Sequence, residues 1–155
     1  MTNSRVLAAL TFVFVLSVTP SFAEFSIPHY VYGIDGIDQA KRMAIMYGHP
    51  IAFVYTNKDT SCGLAASASI DAFKELRKVA TIIYACSGKE QNDWIHIPKI
   101  VKQAINSPDS GRFIPKTIIV DSDLSKVILM IPYERSPEKR ISLLKKAVEQ
   151  LKNEY

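Results

Sequence analysis

Hydrophobic residues along the chain follow two patterns, and each predicts one kind of secondary structure. In some segments they recur every three or four residues, which is typical of amphipathic helices. In others they form short continuous runs, which are typical of strands buried on both faces of a sheet. The predicted helices cover residues 36–48, a long segment from Cys62, residues 98–106, and a final segment from Pro137 with Ser136 as its N-cap. The predicted strands cover residues 51–55, 81–86, 117–120 and 127–131, and residues 24–35 provide a short first strand or an extended lead-in.

The order of these elements predicts an α/β layered domain. A strand, a helix and a second strand follow one another over residues 51–86, which implies a right-handed crossover between parallel strands. The last two strands are separated by residues 121–126, which are rich in Asp and Ser, so we expect an antiparallel hairpin. Residues 107–111 have the composition of a loop. The final helix is expected to cover one face of the sheet.

Residues 1–23 have the pattern of a signal peptide rather than of a folded element. Arg5 precedes an apolar run over residues 6–18, and small residues at Ser21 and Ala23 match the positions that a signal peptidase recognises. An uncleaved membrane anchor is the alternative, but the run has 13 residues where a membrane span needs about 20. The sequence therefore predicts cleavage after Ala23, export to the periplasm or the medium, and one domain over residues 24–155.

Composition and charge agree with one exported globular domain and argue against nucleic acid as a partner. The chain has 155 residues, of which 48% are hydrophobic and 22% charged, and no segment repeats at a fixed period. Arg5 is the only charged residue of the predicted signal peptide, so the remaining chain keeps 18 of the 19 basic residues against 15 acidic ones. The basic residues are interleaved with acidic ones, without the clustering and stacking aromatics of a nucleic-acid surface. A soluble monomer with no membrane span after cleavage is expected.

Several kinds of chemistry are excluded by what the sequence lacks. It contains no Ser-His-Asp set, glycine-rich phosphate loop or HExxH motif, and no cofactor is expected. Asp121 and Asp123 are not followed by the Gly and Glu of a calcium loop, so they predict a turn. Trp94 is expected to pack against the following helix, with a binding-surface role as the alternative. No metal site is expected, because the three histidines lie in separate elements without a second ligand at metal spacing. They are His29, His49 and His96.

Three segments together resemble the thioredoxin-like superfamily, in particular its exported members. They are residues 40–56 (AKRMAIMYGHPIAFVYT), the pair Cys62-Gly63 that opens a helix after a buried strand, and residues 113–123 (FIPKTIIVDSD). With the final helix, the resemblance covers most of residues 36–152. It implies a thioredoxin-like fold, with a central mixed sheet of four to five strands flanked by helices.

The sequence departs from that superfamily at its redox motif. The family has Cys-x-x-Cys, usually after Trp, whereas here Ser61 precedes Cys62-Gly63-Leu64-Ala65. A resolving thiol one helical turn along is needed to release product from a mixed disulfide, and Ala65 supplies none. Ordinary thioredoxin turnover is therefore excluded. Cys62 remains a candidate nucleophile, because the amides and dipole of a helix start stabilise a thiolate.

The resemblance also assigns candidate roles to Cys86, Ile114 and Pro115. If the sheet follows the family order, Cys86 ends the strand beside the one that leads to Cys62, which makes it a candidate disulfide partner. The sequence leaves three states of the two cysteines open: a structural disulfide, a reversible redox pair, and a buried inert Cys86 beside a separate Cys62. The family's proline loop implies a cis peptide between Ile114 and Pro115 that binds an extended substrate, with a trans proline as the alternative.

Two functions follow as expectations. The first is thiol–disulfide exchange through Cys62 with a protein or peptide thiol or disulfide as partner, and Pro115 as a substrate-binding residue. The second is a redox-inactive thioredoxin-fold module that binds or scaffolds a partner, which the absent resolving cysteine favours. The sequence leaves enzyme status open between them.

Overall fold

The computed structural model describes residues 25–57, 62–88 and 92–154, so the predicted signal peptide lies outside the described residues. In chain order the strands and helices are β1 Val31–Gly33, α1 Ile37–Tyr47, β2 Ile51–Thr56, α2 Gly63–Leu76, β3 Thr81–Cys86, α3 Lys99–Asn106, β4 Lys116–Val120, β5 Val127–Ile131 and α4 Pro137–Glu154. Short 3-10 helices cover Ile34–Gly36, Asp93–His96 and Pro108–Ser110.

The five strands form one mixed sheet in the order β1-β3-β2-β4-β5. β1, β3 and β2 run parallel, whereas β4 pairs antiparallel with β2, and β5 pairs antiparallel with β4. The α/β class, the parallel strand–helix–strand unit, the hairpin and a mixed sheet of four to five strands flanked by helices are thereby confirmed.

Each face of the sheet is covered by two helices. Phe73 of α2 and Leu144 of α4 belong to the buried cluster on one face, and Ala44 of α1 and Val101 of α3 belong to the cluster on the other. Alternate residues of β2 point into the two clusters, with Val54 on the first face and Phe53 on the second. This double burial explains why the central strands are continuous apolar runs rather than alternating ones.

The segment 107–111, predicted as a loop, contains one turn of 3-10 helix. The Ser107 hydroxyl accepts a hydrogen bond from the backbone N–H of Asp109 at 3.3 Å. The buried Ser110 hydroxyl donates to the carbonyl of Ile105 at 2.8 Å and itself accepts from Lys116 Nζ at 2.9 Å. Local side-chain hydrogen bonds of this kind favour a tight turn, and they join the end of α3 to the start of β4.

The hairpin turn is organised by Asp121, as the sequence predicts. Its carboxylate accepts hydrogen bonds from the backbone N–H groups of Ser125 and Lys126 at 2.7 and 2.9 Å, and from the Ser125 hydroxyl at 2.6 Å. Partial burial acts to raise the pKa of Asp121, but these hydrogen bonds outweigh it and hold the pKa below its usual value. The turn therefore depends on an ionised carboxylate.

Replacing Asp121 with alanine is expected to lower the free energy of unfolding by about 1 kcal/mol at pH 7, because the turn amides lose their acceptor. A pKa lowered in the folded state gives stability that is present above the unfolded pKa of about 4 and is lost as the pH falls through the folded pKa. Urea unfolding at several pH values should show the gap between wild type and variant narrowing below about pH 4. Asp109→Ala is the control, because Asp109 is exposed and lies outside the hairpin turn. This interpretation would be contradicted if the difference in unfolding free energy between wild type and Asp121→Ala did not change with pH.

Candidate functional site

The candidate site lies at the edge of the sheet where the parallel strands β2 and β3 end. Thr56, the last residue of β2, pairs with Cys86, the last residue of β3. On the other side of β2, Tyr55 pairs with Lys116, the first residue of the antiparallel strand β4, so Pro115 directly before it lies at this edge. The carboxyl ends of parallel strands are the usual place for functional groups in open α/β sheets. The structure thus brings Cys86 and Pro115 to the two sides of β2.

Cys62 begins α2, as predicted, and occupies its N-cap position with extended backbone angles (φ −77°, ψ 97°). Its carbonyl accepts the first helical hydrogen bond from Ala66 N at 2.9 Å, and its side chain makes no capping hydrogen bond. The Cys62 residue is half-buried, and it is followed by exposed Gly63 and by Leu64, which is 57% exposed. A side chain of this kind at a helix start is open to a reactant from solvent.

Ala65 stands one helical turn after Cys62, at the position that would hold the second cysteine of a Cys-x-x-Cys motif. It is only 5% exposed, and its carbonyl accepts a hydrogen bond from the Ser69 hydroxyl at 2.9 Å. The position is therefore filled by a methyl group packed into the interior. Since the whole chain has two cysteines, an internal second thiol for Cys62 has only one source, Cys86.

Cys86 is 4% exposed and belongs to the buried cluster between the sheet, α2 and α4. Its backbone N–H donates to Asp93 Oδ2 at 2.8 Å, which joins the end of β3 to the 3-10 helix that follows. No disulfide joins it to Cys62 in the described structure. Burial, followed by the nearby Cys86 and Asp93, raises the pKa of Tyr84 well above its usual value. The sequence alone gives no signal for Asp93, because its role depends on the chain turning back after β3.

Trp94 makes the predicted contact with the following helix. Lys102 Nζ of α3 lies 5.8 Å from the centre of the Trp94 ring, and the centre of the Tyr55 ring lies 5.5 Å from it. Burial raises the pKa of Tyr55, and the neighbouring Ser87 hydroxyl opposes that rise. The aromatic pair closes the α1/α3 face at the same edge of the sheet.

The peptide bond between Ile114 and Pro115 is cis, which confirms the geometry expected from the sequence. Pro115 is buried, and it lies with Ala68 and Ala72 of α2 around a narrow crevice. Phe113, two residues earlier, is 68% exposed. The proline loop therefore contacts the helix that begins at Cys62 and also presents a large apolar side chain to solvent.

The described part of the chain contains neither a cluster of possible metal ligands nor a helix that could span a membrane. There, no three His, Cys, Asp or Glu side chains lie close enough to share a metal ion. Within residues 25–57, 62–88 and 92–154, no helix combines the length and the apolar character that crossing a bilayer requires. The sequence of the chain matches no known protein family and no curated protein.

Proposed function

We propose that this protein is an exported, thioredoxin-fold protein that exchanges thiols and disulfides through Cys62. The observation that carries the proposal is the half-buried Cys62 at the start of a 14-residue helix, on the chain that leaves the carboxyl end of β2. The strand order β1-β3-β2-β4-β5 and the cis proline loop before β4 support the thioredoxin-like arrangement. The proposed partner is a protein or peptide thiol or disulfide.

Cys62 is the nucleophile of the proposed exchange, and it stands at the N-cap of α2 beside the N–H groups of the first helical turn. The thiolate form of a cysteine is the form that attacks a disulfide. Cys62 Sγ attacks one sulfur of the substrate disulfide, so a mixed disulfide forms and the other substrate sulfur leaves as a thiolate. A second thiolate then attacks the substrate sulfur of the mixed disulfide, so a new disulfide forms between these two sulfurs and Cys62 leaves as a thiolate.

That second thiol comes from outside the protein in this scheme. Ala65 replaces the resolving cysteine, and Cys86 is 4% exposed within a packed cluster. A low-molecular-weight thiol or a second thiol of the substrate completes the cycle. Exposed Leu64 beside Cys62 and exposed Phe113 before the proline loop support an extended polypeptide as the substrate, because both offer apolar contacts.

The test is the rate at which the reduced protein reacts with an aromatic disulfide. We expect wild type to react faster than an unstructured peptide thiol, and Cys62→Ser to lose the reaction entirely because a hydroxyl does not exchange with disulfides. Cys86→Ala is the matched control, since it removes the other thiol, and it should keep the wild-type rate. The proposal would be contradicted if the wild-type protein reacted no faster than the peptide thiol. It would also be contradicted if Cys86→Ala, and not Cys62→Ser, abolished the reaction.

The second candidate is a redox-inactive module that binds a partner through the same surface. The packed methyl group of Ala65 at the resolving position is the observation that favours it. Full function in cells with Cys62→Ser at normal abundance would support the binding module. Loss of function at normal abundance would support exchange.

A further inference from the structure

A second concave site lies at the opposite edge of the sheet, where β1 and β3 begin. It is a cleft of about 610 Å³ between β1, α1 and the turn that follows α2. Its floor is formed by buried residues at the start of β3: Ala80, Thr81 and Ile82. Sites for small molecules typically measure about 300–1,000 Å³, so this cleft has the size for one.

Three tyrosines give the cleft aromatic walls. Tyr30 directly precedes β1, Tyr32 lies within it, and Tyr47 comes from the last turn of α1. Tyr47 is 59% exposed, and its ring centre lies 5.9 Å from that of His49. An exposed tyrosine beside a buried floor offers a planar surface against which a ring can stack.

The charged and titratable groups of the cleft favour an anion. Arg77 lines the cleft, and its guanidinium lies 5.6 Å from the centre of the Tyr30 ring. His29 and His49 also line it, and none of the described lining residues is Asp or Glu. Arginine pairs with carboxylates through two parallel hydrogen bonds, which fixes the orientation of a planar acid.

We propose that this cleft binds a small aromatic carboxylate. The ring of the ligand packs against the tyrosines and the apolar floor, and its carboxylate pairs with Arg77. Convergent polar groups in a mainly apolar concave site are the usual signature of a ligand pocket. The cleft lies at the end of the sheet where the parallel strands begin, whereas Cys62 lies beyond the end where β2 finishes. The two sites are therefore separate.

The test is a calorimetric titration of protein purified from cells that express the full-length chain. The probes are 2-naphthoate, its neutral analogue 2-naphthalenemethanol, and butyrate as a carboxylate without a ring. We expect naphthoate to bind about tenfold more tightly than the alcohol, as a charge-assisted pair implies, and butyrate to bind more weakly than naphthoate. Backbone amide NMR shifts should change at Thr81 and Ile82.

Two variants locate the charge. Arg77→Gln should reduce naphthoate binding to the level of the alcohol, whereas Lys78→Gln removes the same charge one residue away, outside the cleft, and should leave binding unchanged. Urea unfolding of each variant checks that the fold is kept. The proposal would be overturned if naphthoate did not bind, or if it bound no more tightly than the alcohol. It would also be overturned if both variants weakened binding equally, or if the amide shifts changed near Cys62 instead of near the cleft.

Discussion

Replacing Phe73 with alanine is expected to lower the free energy of unfolding by about 4 kcal/mol, which is a large part of the stability of a domain of this size. Phe73 is fully buried between α2 and the sheet. Its ring meets that of Tyr84 edge to face, with 5.8 Å between ring centres. The truncation removes apolar contacts on both elements and leaves a cavity that close-packed neighbours fill only in part.

Urea unfolding followed by circular dichroism and by the fluorescence of Trp94, the only tryptophan, measures this effect. Phe113→Ala is the matched control, because Phe113 is 68% exposed and its loss should change stability by less than about 0.5 kcal/mol. Phe73→Leu should cost about 1 kcal/mol, which keeps the test decisive if the alanine variant does not fold. Equal losses at Phe73 and Phe113 would show that Phe73 is not a core residue.

Arg140→Met is expected to cost about 3 kcal/mol, because it leaves the Asp71 carboxylate without its cation. Arg140 Nε and Nη2 donate to Asp71 Oδ2 at 2.9 and 2.5 Å, and Nη1 donates to the carbonyl of Glu134 at 3.0 Å. The Arg140 side chain is 8% exposed and that of Asp71 is 20% exposed. Since water reaches the carboxylate in part, we place the cost at the lower end of the range for buried pairs. The pair joins α4 to α2.

The control for Arg140 is its exposed neighbour Lys139. Lys139→Met removes the same charge and should change the free energy of unfolding by less than about 0.5 kcal/mol. The double variant Asp71→Leu with Arg140→Met should lose less than Arg140→Met alone, because no carboxylate is then left unpaired. A loss at Arg140 no greater than at Lys139 would mean that the ion pair contributes nothing to stability.

Short-range patterns were sufficient to predict most of the fold. A continuous apolar run predicts β3 at its observed bounds, because a strand buried on both faces tolerates few polar side chains. Gly48 ends α1 in the left-handed conformation, at φ 64°, which glycine adopts most readily. The turn at 108–110 was missed because it depends on the buried hydroxyl of Ser110, and hydroxyl partners are not visible in a hydrophobic pattern.

Functional residues could be predicted from the sequence only where one continuous segment contains the whole signal. Cys62 could be predicted at the start of a helix because an apolar run, a polar stretch and a helical pattern follow one another along the sequence. The ion pair joins residues 69 positions apart, and its only sequence signal is that Arg140 lies four residues before Leu144, on the apolar stripe of α4. The tyrosine cleft gathers side chains from several elements, so no single stretch of sequence indicates it.

The central position of β2 determines how the candidate site responds to partial opening of the sheet. β2 is hydrogen-bonded to β3 on one side and to β4 on the other, whereas β1 and β5 form the outer edges. Amide protons of β2 therefore exchange with deuterated solvent mainly through global unfolding, while those of β1 and β5 exchange through smaller fluctuations. Fraying of the outer strands leaves the strand that leads to Cys62 in place, so the attachment of Cys62 to the sheet is lost only when the domain unfolds globally.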